Sequence, residues 1–314
     1  MKKIAPIGII TYKRLEHLKK TIKALQNNHL AQESNLYIFS DAPKKGDEAE
    51  VDTLRNYLKE IDGFKNISII CRKSNSRRYN SLNAQTMLME KYEKMIFFEE
   101  DIVTNQFFLK YMNDMLNFYK NEKKIFAICG YIPNITFPDY YNHDYFFSKR
   151  FSPWGFATWK DRGSVEALSN YNAYLDLMSN PLLLIKGYMI SKKTPTFSLR
   201  QIYKYKEHRG DALLWAKQLK NNQYCIMPTR SLISNIGLDG SGLHCGIMPE
   251  YKTSNNQHSS SLRVSKHVKY DKRIDRIFCE WYNKPKKPKG TIKQALLLAR
   301  SLKESLFYNL FGRI

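Results

Sequence analysis

Residues 7–25 read IGIITYKRLEHLKKTIKAL, and the apolar period changes partway along. Ile7–Thr11 is a short β-branched run closed by a polar cluster, which predicts a strand buried on both faces. After it Leu15, Leu18, Ile22 and Leu25 recur at intervals of three and four, the spacing of a helix with one core-facing stripe. The same alternation continues outward. Leu36–Ser40, Ile67–Cys71 and Met95–Glu99 are further expected strands, Val51, Leu54 and Leu58 mark a second helix, and Leu82–Tyr92 is a third. Strands alternating with helices predict an α/β fold with a mostly parallel sheet joined by right-handed crossovers. Farther on, a helix around Phe107–Tyr119 and a strand at Ile125–Cys129 precede a stretch rich in Tyr, Phe and Trp. The pattern predicts one large domain over 1–262. Residues 263–314 follow as a basic linker (KPKKPKG, Lys284–Gly290) and an amphipathic C-terminal helix.

The chain has 314 residues, 43% of them apolar and 13% aromatic, which excludes low-hydrophobicity disorder. Fifty-one Lys and Arg against 29 Asp and Glu leave a formal charge of +22. That predicts attraction to polyanions: nucleic acid, an anionic leaflet or phosphorylated small molecules. Charge alone does not choose among them. The five cysteines form no CxxC pair or zinc spacing, which fits a reducing cytoplasm. No apolar run approaches the roughly 18–20 residues that span a bilayer. The opening MKKIAPIGII has the charge of a signal peptide, but Pro6 interrupts it and TYKRLEHLKK follows, so it reads as the first strand.

In open sheets of this kind ligands bind beyond the carboxyl ends of the strands. Four segments sit there: TYKR (Thr11–Arg14), SDAP (Ser40–Pro43), CRKSNSRR (Cys71–Arg78) and EED (Glu99–Asp101). Three adjacent carboxylates at the end of an apolar strand repel one another and lose hydration, a cost that a counter-cation removes. Residues two apart on a strand share a face, so Glu99 and Asp101 address one ion while Glu100 points elsewhere. Hard oxygen ligands suit Mg²⁺ or Mn²⁺, and the other reading is a solvated acidic turn.

TYKRLEHLKKTIKAL after a first strand resembles the opening of nucleotide-sugar glycosyltransferases of the GT-A fold, and FFEEDI resembles their metal-binding acidic signature. SPWGFATWKDRG and the segment RGDALLWAKQL…MPTRSLISNIGLDGSGLHC are similar to a bacterial group within the family-2-like glycosyltransferases. The motif order resembles that of animal N-acetylglucosaminyltransferase I. The resemblance implies a GT-A type, Rossmann-like sheet flanked by helices, with a nucleotide-sugar half over 1–101 and an acceptor half over 102–262. It makes Asp101 the direct ligand of Mn²⁺ or Mg²⁺, with Glu99 and Glu100 supporting the ion or the donor. Arg14, with Thr11, would meet the donor diphosphate and Asp41 the nucleobase; separately, Asn75, Arg77 and Arg78 follow the third strand in a polar loop that either touches ribose or phosphate or is a solvated basic loop. Read from the residues themselves, Trp154, Gly155 and Trp159 form a motif whose glycine permits close backbone approach and whose indoles either stack on an acceptor sugar or belong to the core. His244 would reach the metal or a phosphate, with Ser241 and Gly242 as contacts of the same glycine-rich loop. One residue here departs from the animal enzyme, which has Asp at the place of Glu100.

Inverting transfer needs a carboxylate that takes the acceptor's proton. Asp211, which opens ALLWAKQLK, is the candidate base, with the helix N-cap as its other reading and Glu207 as the alternative. Ile292, Leu296, Ala299, Leu302, Leu306 and Leu310 fall on one face of the last helix. From Lys284 onward there are eight basic residues and one acid, Glu304. That fits either an interfacial helix drawn to anionic lipid or a helix packed on the protein. The expectation is a cytoplasmic enzyme, peripheral on the inner face of the cytoplasmic membrane. It would take a nucleotide diphosphate sugar as donor and a glycan or glycolipid of the bacterial surface as acceptor. Two competitors are a non-catalytic glycan or anionic-surface binding protein on the same fold and a nucleic-acid-binding protein. The absence of a recognised motif and the EED cluster speak against specific nucleic-acid binding.

Overall fold

The structure is a computed structural model, which describes residues 4–163, 175, 177–191, 210–241, 247–253, 261–283 and 290–311. The chain divides into two compact units. The first comprises Met1–Phe146, Ser152–Ser164 and Ile226–Val268, and the second Phe147–Phe151, Val165–Cys225 and Lys269–Ile314.

The first unit carries the α/β fold the alternation predicts. In chain order it runs β1 (Ile7–Thr11), α1 (Leu15–Gln26), β2 (Asn35–Ser40), α2 (Glu48–Leu58), β3 (Asn66–Cys71), α3 (Arg77–Tyr92) and β4 (Lys94–Glu99). Then follow β5 (Ile102–Thr104), α4 (Phe108–Phe118), β6 (Ile125–Cys129), β7 (Tyr145–Ser148), β8 (Phe156–Trp159) and the short α5 (Lys160–Gly163). An eight-stranded sheet has the order β3-β2-β1-β4-β8-β6-β9-β7, with β9 at Tyr224–Pro228. β1 lies parallel to both β2 and β4, and β2 parallel to β3, whereas β8 runs antiparallel to β4 and β6. The parallel half is therefore the part built from the βα repeats, and the helices α1, α2 and α3 bury Leu18, Ile22, Leu25, Val51, Leu54 and Leu88.

Two local expectations change. β3 is not buried on both faces: it lies at the sheet's edge and Ile69 is exposed, because no further strand pairs it among the described residues. α3 begins at Arg77 rather than Leu82, with the Ser76 hydroxyl accepting the Tyr79 N–H at 3.2 Å as its N-cap. Arg77 and Arg78 thus belong to a helix and only Asn75 to the loop. The start was hidden because RRYN has no apolar stripe, while the cap residue that marks it is a single serine.

The described helices of the second unit are α6 (Pro181–Ile190), α7 (Gly210–Lys220), α8 (Lys272–Asn283) and α9 (Gly290–Phe311). Asp275 of α8 is buried and accepts from the Ser148 hydroxyl at 2.6 Å and the Tyr270 hydroxyl at 2.9 Å. The Arg150 guanidinium lies 4.0 Å from the Tyr282 ring centre. KPKKPKG lies outside the described residues except for Gly290, which opens α9.

Candidate active site

From β1 the chain moves outward through β2 to β3, then returns to the other side of β1 as β4. The two strands flanking this reversal are the place where an open α/β sheet leaves a crevice at its carboxyl end. The register brings the strand ends level: Thr11 pairs with Ser40, Ser40 with Cys71, and Ile10 with Glu99. Arg14 leaves β1 here, and the acidic run leaves β4.

The acidic run does not continue as a strand. β4 ends at Glu99, and Glu100 and Asp101 form a turn before β5, so the two-residue alternation stops. Glu100 and Asp101 consequently meet the same partner, and Glu99 faces away, the reverse of the pairing expected from strand geometry. Arg14 Nε donates to Glu100 Oε1 at 2.8 Å and Nη2 to Asp101 Oδ2 at 2.7 Å. Arg77 donates to both oxygens of Glu99, at 2.8 and 3.2 Å, where both side chains are about half exposed.

Glu100 and Asp101 are buried and Arg14 is half-buried over them: the side chains of Arg14, Glu100 and Asp101 are 18%, 8% and 10% exposed. Burial pushes the Glu100 carboxyl up to about 7, against the pull of the Arg14 guanidinium. Asp101 is raised too, by burial first and then by the charge of Glu99. Burial alone would lower the Arg14 guanidinium, but the two carboxylates outweigh it and hold it above its ordinary value. Backbone contacts lock the turn. Thr21 Oγ1 donates to the Glu100 carbonyl at 2.7 Å and the Ile236 N–H to the Asp101 carbonyl at 2.9 Å. Two donors in this corner, Arg14 Nη1 and Thr11 Oγ1, are buried and find no hydrogen-bond partner among the described residues. An anionic oxygen reaching Nη1 would satisfy a charged donor whose isolation is costly.

The glycine-rich segment closes against this corner. β10 (Ile233–Asn235) pairs antiparallel with β5, Asn235 opposite Ile102, which carries Gly237 onto the acidic turn. A Cβ on Gly237 would lie 2.0 Å from Asp101 Oδ2 and 2.9 Å from Arg14 Nη1, so no larger residue fits without displacing the pair. His17 Nε2 meets Asp239 Oδ2 at 3.0 Å, tying the loop to α1. Ser241 donates through its N–H and hydroxyl to Asp239 Oδ1 at 2.9 and 2.6 Å, which holds the Asp239 carboxyl down at about 2. Gly242 and His244 lie outside the described residues. His17, Gly237 and Asp239 were not singled out from the sequence. His17 could have been, since it lies in the first turn of α1, three residues after its N-cap Arg14.

Asp41 is buried after β2, and its Oδ1 accepts from the N–H groups of Ala42 and Ser76 at 3.0 and 3.1 Å. Asn75 Nδ2 donates to the Ala42 carbonyl at 2.6 Å. Both residues therefore clasp the loops after β2 and β3 together, next to the Arg72 guanidinium, which lies 5.4 Å from the exposed Tyr79 ring.

Trp154 is half-buried with its ring edge-on to Tyr131 at 4.6 Å and to Tyr251 at 5.6 Å, and the Tyr131 hydroxyl donates to the Tyr251 carbonyl. Gly155 takes a left-handed φ of 66° and its carbonyl accepts the Gly130 N–H at 2.7 Å, a backbone role that favours glycine. Trp159 is buried beneath the Arg162 guanidinium, 3.6 Å from the ring centre, and belongs to the core. In the second unit Asp211 is exposed in the first turn of α7, and Glu207 lies outside the described residues.

Among the described residues no three His, Cys, Asp or Glu side chains gather as a ready-made metal cage. Mg²⁺ and Mn²⁺ do not require one: one or two carboxylates plus substrate phosphate and water complete their shell. The chemistry of Glu100 and Asp101 fits such an ion, which would share with Arg14 the oxygens that the guanidinium now holds.

No family model and no curated protein matches the chain. Solved structures do. S. aureus TarS aligns with 55% of this chain at 13% identity and a TM-score of 0.32; the chain covers 34% of that protein's length. S. aureus TarS 1-349 in complex with UDP-GlcNAc aligns with 98% of this chain and 76% of its own, at 10% identity and a TM-score of 0.40. The mannosyltransferase PcManGT from Pyrobaculum calidifontis in complex with GDP-Man and Mn²⁺ aligns with 53% of this chain and 47% of its own, at 9% identity and a TM-score of 0.34.

Proposed function

We propose that the protein is a glycosyltransferase that moves a sugar, with inversion, from a nucleotide diphosphate donor to a glycan of the bacterial surface. The observation that carries the reading is the half-buried Arg14, held by Glu100 and Asp101 at the sheet's reversal, whose Nη1 is buried and finds no hydrogen-bond partner among the described residues. A doubly charged leaving diphosphate needs fixed positive charge where water is excluded, and a guanidinium presents donors in the geometry phosphate accepts. Asp101 and Glu100 hold that guanidinium in place, and Gly237 allows the loop after β10 to close on it. Mn²⁺ or Mg²⁺ at Asp101, with Glu100 in support and His244 as a further ligand, would when bound act as Lewis acid on the same diphosphate, whereas Glu99, turned to Arg77, stands outside this set. Thr11, Asp41, Asn75, Ser241 and Gly242 complete the donor contacts in this reading, and Trp154 and Gly155 receive the acceptor sugar. In the transfer itself the acceptor hydroxyl loses its proton to a carboxylate, Asp211 or else Glu207. Its oxygen then bonds to the anomeric carbon as the bond to the diphosphate breaks.

A thermal-shift screen of nucleoside diphosphates and their sugars, with and without Mn²⁺, tests the donor site. One base should stabilise the protein, by about 2.7 kcal/mol at a ligand concentration of 100 times Kd. Asp101→Asn should abolish that response to Mn²⁺ while the protein stays folded, and Asp211→Asn should keep donor binding and lose transfer. Folded protein that answers to no nucleotide overturns the proposal.

A further inference from the structure

The last helix packs with the face opposite to the one its sequence recommends. Ser301 and Ser305 of α9 are buried, the Ser305 hydroxyl donates to the Ser179 carbonyl, and Asn309 Nδ2 donates to the same carbonyl at 2.7 Å. The apolar stripe points the other way: Ile292, Leu296, Leu306 and Leu310 are each more than half exposed. α6, which packs against α9, repeats the arrangement. It buries Leu183 and Leu184 and leaves Leu182 and Met189, two turns apart on its opposite face, at 77% and 72% exposure. Large side chains left outward on two neighbouring helices mark a face that another phase or molecule covers.

We propose that α9, with the outer face of α6, docks on an anionic lipid surface, lying in the headgroup layer rather than crossing it. Among the described residues no helix is long and apolar enough to span a bilayer. Charge selects the occupant. Residues 284–314 carry eight Lys and Arg against the single acid Glu304, and the exposed Arg300 and Lys303 lie within a turn of Leu296 and Leu306. A second copy would bring the same exposed Arg300 and Lys303 and the same basic segment and be repelled, whereas anionic headgroups neutralise these charges and accept the leucines among their acyl chains.

Flotation of the full chain with vesicles of equal parts phosphatidylglycerol and phosphatidylcholine tests this, with pure phosphatidylcholine as the neutral control. The wild type should float with the anionic vesicles and detach in high salt. Arg300→Gln with Lys303→Gln should lower the partition coefficient about 25-fold, from the roughly fivefold that each basic residue contributes at such a surface. Leu296→Ser with Leu310→Ser should lower it at least as far, and Leu182→Ser with Met189→Ser by less, all with unchanged thermal unfolding. Wild-type protein that stays off the vesicles overturns the proposal, as does undiminished partitioning of the α9 variants. A wild-type dimer that Leu296→Ser with Leu310→Ser dissolves, seen by light scattering, also overturns it and assigns the face to a second copy.

Discussion

The corner around Arg14 and the helix α9 invert each other. In the first, charged groups are buried and only their mutual pairing makes that tolerable: Arg14 answers Glu100 and Asp101 at 2.8 and 2.7 Å. In the second, small hydroxyls are buried and leucines are left outside. Ordinary folding pressure produces neither arrangement, since buried ions cost hydration and exposed leucines forgo burial. The two proposals give each a purpose, phosphate binding at the first and docking on a lipid surface at the second.

The comparison is most easily broken at Arg14. Arg14→Met leaves two buried carboxylates without a cation, and urea unfolding should read a loss of about 3–5 kcal/mol. A change below 1 kcal/mol would mean the acids find water or protons instead. Gly237→Ala drives a Cβ into Asp101 Oδ2 and should cost about 1–3 kcal/mol while weakening nucleotide binding, which calorimetry checks. Ser305→Leu makes α9 more apolar yet should destabilise by about 1–3 kcal/mol, because it overfills a packed site and removes the bond to Ser179. Ile292→Ser, on the outward stripe, should leave stability in vesicle-free buffer within about 0.5 kcal/mol. A small effect is also expected at the exposed Arg77–Glu99 pair: Arg77→Ala should cost less than about 1 kcal/mol, against several for Arg14. Equal losses at the two arginines would erase the distinction between the buried and the exposed ends of one acidic run.

The repeating change of period along the first hundred residues determined the parallel half of the sheet. Ile7–Thr11 and Ile125–Cys129 form at their expected bounds, and β2, β3 and β4 begin one residue earlier than expected. Strand and helix periods are local properties, so the sequence carries them directly. It also placed Arg14, Asp41 and EED at strand ends, because chain direction and the parallel order fix which end each loop occupies. What it could not carry was pairing. Whether Glu100 joins Asp101 or opposes it depends on where β4 stops, and that follows from β5 turning to meet β10, more than a hundred residues downstream. Gly237 and Asp239 came to the acidic turn by the same long-range pairing. The outward stripe of α9 is the clearest case. A helical pattern states that one face is apolar, and only the tertiary structure, through Ser301, Ser305 and the Ser179 carbonyl, decides which face meets the protein. Periodicity is written in neighbours along the chain, whereas the choice of partner belongs to residues brought together only by folding.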